Sequence, residues 1–270
     1  MNEFIRLIVT DMDGTLLDAH HQLPSNFEQI VQSLYQQNIR WAIASGRQLA
    51  NLKARFDALA VPVDIIAENG AVAQCAGEAS PFYCDLTSIE MFREILNVSI
   101  TLPDTTPVLC GVDCAWVHDA HPEHLKEVSR YFCHTEAWHS LEEVARLQLC
   151  KVAIYHPNAA THLYPHLAPY ATSDVRVILS GPNWVDVQRA TIDKARALEA
   201  LVKKYNLTLQ NVMVFGDYYN DVGMLTSGAH AVAMGNALPE IQALTPHQTL
   251  PNTQNGVLHY LHACHLIDAI

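Results

Sequence analysis

The chain has 270 residues, half of them hydrophobic, and sets 16 basic against 28 acidic side chains for a formal net charge of −12. That length suits one large domain or two modest ones and supports a core without disulfide staples. The acidic balance argues against nonspecific binding to nucleic acid or to an anionic membrane. No apolar run nears the ~20 residues of a membrane span. The N-terminal MNEFIRLIVTDMDG meets acidic residues where a signal peptide needs its cleavage site. The seven cysteines are an odd set with no CxxC pair, so no disulfide framework is expected. The reading is a cytoplasmic protein with reduced thiols.

Leu7-Ile8-Val9 is an apolar run that stops at Asp11, as a buried parallel strand does. A polar loop from Gly14 to Pro24 follows. Ser25 and Glu28 have capping-box spacing, and Phe27, Ile30, Val31 and Leu34 recur at helical period. Trp41 to Ala44 reads as the next strand, ending at Ser45-Gly46-Arg47. Leu49, Leu52, Phe56 and Leu59 mark a second helix. Val63 to Ala67 is a third strand, ending at Glu68-Asn69-Gly70. Strands alternating with helices predict a doubly wound parallel sheet, with ligands beyond the strand C-termini.

The rhythm changes near Tyr83. Val108 to Val112 and Ala115 to Val117, split by Asp113-Cys114, predict a hairpin, and Leu149 to Tyr155 and Val175 to Leu179 predict further strands. The α/β rhythm then returns. Ala195, Leu198, Val202 and Tyr205 form a helical stripe, Val212 to Phe215 a strand ending at Gly216-Asp217, and Ala231 to Met234 another ending at Gly235-Asn236. The expected architecture is an α/β core in two pieces, 1–81 and 188–270, interrupted by an α+β insertion over 82–187.

The sharpest chemical signal is Asp11-Met12-Asp13-Gly14-Thr15. Two carboxylates sit where a buried strand opens into a glycine-containing loop. Such a pair can gather Mg²⁺, which takes hard oxygen ligands, and one carboxylate can attack phosphorus to form an aspartyl-phosphate. The bland reading of the segment is a charged turn beside a helix cap. Ser-Gly-Arg, a single lysine or an acidic loop such as GDYYND also have bland readings when taken alone.

DMDGT resembles the first motif of the haloacid dehalogenase superfamily, mostly Mg²⁺-dependent phosphotransferases, and the later motifs follow in order. Ser45 in AIASGR resembles the second, Lys194 in ATIDKARAL the third, and Asp217 and Asp221 in GDYYNDVGM the fourth. DMDGTLLD, SGR, ENGA, GDYYND and VAMGNA together resemble the Cof-type subfamily of small-molecule phosphatases, with a type-two cap between motifs two and three. The resemblance implies a Rossmann-like core with an inserted cap, a small phosphorylated substrate such as a sugar phosphate or pyridoxal phosphate, and Mg²⁺ as cofactor.

It also implies roles. Asp11 is the nucleophile and, with the backbone carbonyl of Asp13 and with Asp217, a metal ligand. Asp13 is the acid–base group. Lys194 neutralises charge on the nucleophile and the phosphoryl group. Asp221 orients the metal site from behind. Ser45, Gly46, Arg47 and Asn220 lie on the phosphate or substrate side. Ala195 departs from the glycine that often follows the third-motif lysine. Tyr218 and Tyr219 are bulky for their position and either line the opening of the site or divide between core and surface.

Two rivals share part of this pattern. A phosphomutase of the same superfamily would retain its intermediate and turn over a bisphosphate. A phospho-accepting signalling domain also groups acidic residues, Ser/Thr and Lys, but carries its aspartate on a later strand and lacks a large insertion. Among the fifteen histidines, His118, His121 and His124 are spaced by three. Pro122 suits a first helical position, which leaves His118 outside the helix, and no cysteine pair completes a zinc pattern. These histidines are read as surface or substrate-facing.

Overall fold

The computed structural model describes residues 5–118 and 122–268, and His121 lies outside them. The chain forms two compact units, one of Met1–Ser45, Ala54–Tyr83 and Asp193–Ile270, the other of Gly46–Lys53 and Cys84–Ile192.

In chain order the strands of three residues or more are β1 (Leu7–Thr10), β2 (Arg40–Ala44), β3 (Val63–Ala67), β4 (Val72–Gln74), β5 (Thr106–Cys110), β6 (Ala115–His118), β7 (Thr135–Trp138), β8 (Lys151–Tyr155), β9 (Val175–Gly181), β10 (Trp184–Arg189), β11 (Val212–Gly216) and β12 (His230–Ala233). The helices used below are α1 (Phe27–Gln36), α2 (Leu49–Phe56), α3 (Arg93–Ser99), α4 (Pro122–Tyr131) and α5 (Lys194–Lys204).

The first unit is a Rossmann-like core. Along its longer strands the sheet runs β12-β11-β1-β2-β3-β4, parallel except for β4, which pairs antiparallel with β3, and the two-residue strand Tyr83–Cys84 follows β4 at the edge. β1 lies between β2 and β11, with Ile8 opposite Trp41 on one side and Met213 on the other. A strand flanked on both sides and covered on both faces needs apolar residues throughout, and Leu7, Ile8 and Val9 are wholly buried. The chain winds outward from β1 to β3 and resumes on the other side with β11. The C-terminal ends of β1 and β11 therefore flank a topological switch point, where such sheets bind ligands. Met12, Met213, Met224 and Met234 are buried in the core.

The second unit, the inserted α+β domain, has a sheet in the order β9-β10-β8-β5-β6-β7, antiparallel except between β6 and β7. Side chains alternate across it. Leu109, Val152 and Ile154 pack with Leu96 of α3 on one face, while Val108, Ala153 and Tyr155 pack with Val128 of α4 on the other. That period of two is the pleat of a strand covered on both sides.

Two local expectations fail. Ser25 and Glu28 form no capping box. The helix starts at Phe27 after Asn26, and Glu28 Oε1 instead accepts from the backbone N–H of Ala60 at 3.2 Å. His124 is neither surface nor substrate-facing. It is buried, with Nδ1 2.8 Å from Thr106 Oγ1 and its ring edge-on to Tyr155. His118, on β6, packs against Trp138 at 4.5 Å. Among the described residues no helix is long and apolar enough to cross a membrane.

Candidate active site

Three segments of the core meet beyond the strand ends. β1 delivers Asp11, whose backbone N–H donates to Phe215 O at 3.0 Å and so continues the pairing with β11 by one residue. The turn then reverses at Gly14, where φ is 88°. That left-handed value favours glycine, and a Cβ there would also collide with the Asp217 carboxylate. Thr15 of the same turn donates from Oγ1 to Asp217 Oδ1 at 2.8 Å. The glycine and threonine of DMDGT thus serve the aspartate that follows β11.

Lys194 opens α5 behind Asp193, whose side chain caps the helix by accepting from Ala195 N–H at 2.8 Å. Lys194 is wholly buried, and its Nζ donates to Asp11 Oδ1 at 2.6 Å and to Asp221 Oδ1 at 2.7 Å. The other Asp221 oxygen accepts from the backbone N–H groups of Asp217 (2.9 Å) and Tyr218 (3.2 Å). Both oxygens of Asp221 are therefore engaged in holding the loop and the lysine. Carboxylate oxygens of Asp11, Asp217 and Asp221 all lie within 4.8 Å of one another.

Three carboxylates around one ammonium leave an excess of negative charge. Burial raises Asp11 well above the ordinary carboxylate range; Lys194 opposes that rise, and Asp221 and Asp217 add to it. Burial, followed by the neighbouring Asp221 charge, lifts Asp217 to about 7. Burial alone would lower the Lys194 ammonium, but Asp11 and Asp221 together outweigh it and hold the group above its ordinary value. The lysine is thus fixed as a cation, while Asp11 and Asp217 await a further positive charge.

The remaining expected site residues divide. Ser45, buried at the end of β2, donates its backbone N–H to Ile66 O at 2.9 Å and accepts from Asn69 N–H at 3.0 Å. Asn220 Nδ2 donates to Asn69 Oδ1 at 3.2 Å, tying the end of β3 to the loop after β11. Gly70 has φ 97° and packs so tightly on the start of α5 that a Cβ would strike the Asp193 carbonyl. Gly46 and Arg47 belong to the inserted unit. Gly46 O accepts from Lys151 Nζ at 2.7 Å, and the Arg47 guanidinium sits 5.1 Å from the Tyr131 ring centroid. The Asp13 carboxylate is one-third exposed, with His21 Nδ1 3.2 Å from its Oδ1. Tyr218 is half-buried and edge-on to Tyr219, which is exposed and hydrogen-bonded to Glu240.

Two residues that sequence reasoning missed hold the first turn in place. Asn236 Nδ2 donates to Gly14 O at 2.8 Å, and Asn252 Nδ2 donates to Leu17 O at 2.7 Å. The two asparagines are joined by Asn252 N–H to Asn236 Oδ1 at 2.9 Å. Asn236 lies in VAMGNA at a strand end, a signal for the first of them. Asn252, which opens a single 3₁₀ turn remote along the chain, has no such signal.

The profile of the haloacid dehalogenase-like hydrolase family matches residues 8–261. The chain is 27% identical over 263 residues to the 5-amino-6-(5-phospho-D-ribitylamino)uracil phosphatase YbjI of Escherichia coli strain K12, with 94% of each chain covered. It is 28% identical over 269 residues to the HMP-PP phosphatase of Cronobacter sakazakii, covering 95% of this chain and 94% of the relative. Among solved structures, SMU.1108c from Streptococcus mutans UA159 shares the fold at a TM-score of 0.85 and 24% identity, over 97% of this chain and 100% of that one.

Proposed function

The chain belongs to the haloacid dehalogenase-like hydrolases, and from that premise we propose that it is a Mg²⁺-dependent phosphatase of a small phosphorylated metabolite, of the sugar phosphate or pyridoxal phosphate class, acting through an aspartyl-phosphate. The observation that carries the proposal is the buried Lys194 ammonium bridging Asp11 and Asp221, with Asp217 beside them at the ends of β1 and β11. The two phosphatases to which the chain is similar support the reaction class.

The donor set fits a hard divalent cation. Asp11 and Asp217 would hold it with the backbone carbonyl of Asp13, while Asp221, engaged by Lys194 and two backbone N–H groups, would orient the site. Bound there, Mg²⁺ would offset the excess negative charge and polarise the phosphoryl oxygens.

An Asp11 carboxylate oxygen bonds phosphorus as the ester P–O bond breaks, its electron pair departing with the leaving oxygen. Asp13 gives that oxygen a proton. Asp13 then takes a proton from water as the water oxygen bonds phosphorus and the Asp11–phosphate bond breaks. Lys194 keeps its charge throughout and draws negative charge from the carboxylate and the phosphoryl oxygens. Ser45 and Asn220 donate on the phosphate side. The assignment of Gly46 and Arg47 to the substrate rests on the sequence motif alone.

The test is phosphate release over a panel of sugar phosphates and pyridoxal phosphate, with Mg²⁺ and with chelator, followed by acid quench and peptide mapping. Release should require Mg²⁺, and the trapped phosphoryl group should sit on Asp11. In Asp13→Asn, para-nitrophenyl phosphate should give a phenol burst and accumulate phosphoryl-enzyme, because that leaving group needs little protonation while the second step still lacks its base. Undiminished hydrolysis without metal, or phosphate on another residue, would sink the mechanism.

A further inference from the structure

Between β1 and α1 the chain fixes one exposed side chain in place. Asp18 closes a tight loop. Its Oδ1 accepts from the N–H groups of His20 (2.8 Å) and Gln22 (2.9 Å), and its own N–H donates to Gln22 O at 3.0 Å. Within that loop His21 N–H donates to Asp18 O at 3.0 Å, and His21 adopts a left-handed φ of 57°. Non-glycine residues take that region at a cost, asparagine and histidine more readily than most. Arg55, from the turn of chain that ends α2, donates Nη2 to His21 O at 2.6 Å. The His21 side chain is 63% exposed, so burial does not hold the ring where it lies. What the loop achieves is to set His21 Nδ1 3.2 Å from Asp13 Oδ1.

We propose, resting on the reading of Asp13 as the acid–base group, that His21 is a positioning residue for it. The Nδ1–H of His21 donates to Asp13 Oδ1 and fixes the rotation of the carboxyl, with the transferred proton carried on Oδ2. In the first step the Oδ2–H bond breaks and the leaving oxygen takes the proton. The ester P–O bond breaks with its electron pair on that oxygen, and the bond from Asp11 to phosphorus forms. The negative charge that appears on Asp13 is stabilised by the N–H it already faces. In the second step Oδ2 takes a proton from the attacking water, whose oxygen bonds phosphorus as the Asp11–phosphate bond breaks. His21 neither gains nor loses a proton in either step. It supplies the directional hydrogen bond that turns a partly exposed carboxyl into an oriented one.

Two substitutions separate the hydrogen bond from the backbone conformation. His21→Gly removes the donor and tolerates φ 57° without strain. His21→Asn restores a donor at a similar reach and also tolerates that φ. The probes are para-nitrophenyl phosphate and the sugar phosphate turned over fastest in the panel above. For His21→Gly, kcat on the sugar phosphate should fall roughly tenfold, the scale of one lost hydrogen bond to a charged group, with KM changed less than about twofold. On the aryl phosphate the single-turnover phenol release should keep its wild-type rate and only the steady turnover should slow. His21→Asn should recover to within about threefold of wild type. Wild-type kinetics in His21→Gly would overturn the role, as would His21→Asn falling as far as His21→Gly, or an equal loss in single-turnover and steady rates with a lowered melting temperature. Wild-type enzyme that releases no phosphate from any probe would remove the premise and the inference together. Normal wild-type turnover with an unaffected His21→Gly would remove the inference alone.

Discussion

Both units of this chain bury a lysine against aspartate, and the two arrangements differ in charge. In the inserted domain Lys151 Nζ lies 2.9 Å from Asp186 Oδ2, a cation against an anion, and both side chains are almost fully buried. In the core Lys194 faces Asp11 and Asp221, with Asp217 alongside, one cation among three potential anions. A balanced buried pair is already neutral, and holding it costs desolvation that its own attraction largely repays. The unbalanced cluster cannot settle that way. Its carboxylates either keep protons or gain a cation, and the raised positions of Asp11 and Asp217 are the proton-bound alternative. The same two residue types thus make a structural brace in one unit and, on the proposed reading, a divalent-cation site in the other.

The widest separation between the two should come from removing one aspartate from each. Asp11→Asn should abolish turnover, a loss greater than about 10³-fold, because an amide cannot accept the phosphoryl group. Its melting temperature should hold or rise, since the cluster loses an excess anion. Asp186→Asn should do the reverse, removing the carboxylate that faces the buried Lys151 ammonium at a cost of about 3–5 kcal/mol. Replacing both partners together, with Lys151→Met and Asp186→Leu, should recover most of that stability. Thermal melts beside phosphate-release assays check all three variants. A marked fall in the melting temperature of Asp11→Asn would erase the distinction.

The sequence made the core cluster legible because each member marks the edge of a pattern. Asp11 and Asp217 stand where apolar runs stop, and Lys194 stands where a helical stripe starts. The inserted pair left no such mark. Lys151 falls inside the run from Leu149 to Tyr155, where no pattern edge marks it, while Asp186 lies on a strand the periodicity did not reveal. The two face each other only through the antiparallel pairing of β8 with β10, which sets Ala153 opposite Asp186. His21 was illegible for a similar reason. Its link to Asp13 depends on a left-handed residue and on an arginine 34 positions away. The Ser25–Glu28 spacing misled because a tertiary partner, the N–H of Ala60, claimed the glutamate.

The unbalanced charge has a second consequence, in pH dependence. Asp217 titrates at about 7 in the folded core, against roughly 4 for an unfolded carboxyl. Between those values the folded state binds more protons than the unfolded chain, so metal-free stability should fall as pH rises through that window. Under the proposed function Mg²⁺ would bind the ionised form and should restore it. The Mg²⁺-induced rise in melting temperature should therefore be greater at pH 8 than at pH 5, by about 3–6 °C. Asp186→Asn should retain that difference, because its lesion lies in the other unit. Equal Mg²⁺ shifts at both pH values would remove Asp217 from the metal site.

The smallest effect belongs to Thr15, whose hydroxyl donates to Asp217 Oδ1 at 2.8 Å and holds that carboxyl toward its ionised form. Thr15→Val keeps the shape and deletes the donor. Asp217 should then keep its proton to higher pH and rotate more freely, and both changes weaken a cation's hold. The Mg²⁺ concentration for half-maximal activity should rise about fivefold near neutral pH, the scale of one ordinary net hydrogen bond. Turnover at saturating Mg²⁺ should stay within about twofold, because Thr15 has no part in the phosphoryl transfer itself. Thr15→Ser retains the donor and should resemble wild type. The gap between Thr15→Val and wild type should narrow at pH 8.5, where Asp217 is ionised in both proteins and only its orientation differs. A loss of turnover at saturating Mg²⁺, equal at both pH values and with unchanged Mg²⁺ dependence, would show that the Thr15–Asp217 bond serves the chemistry rather than the cation.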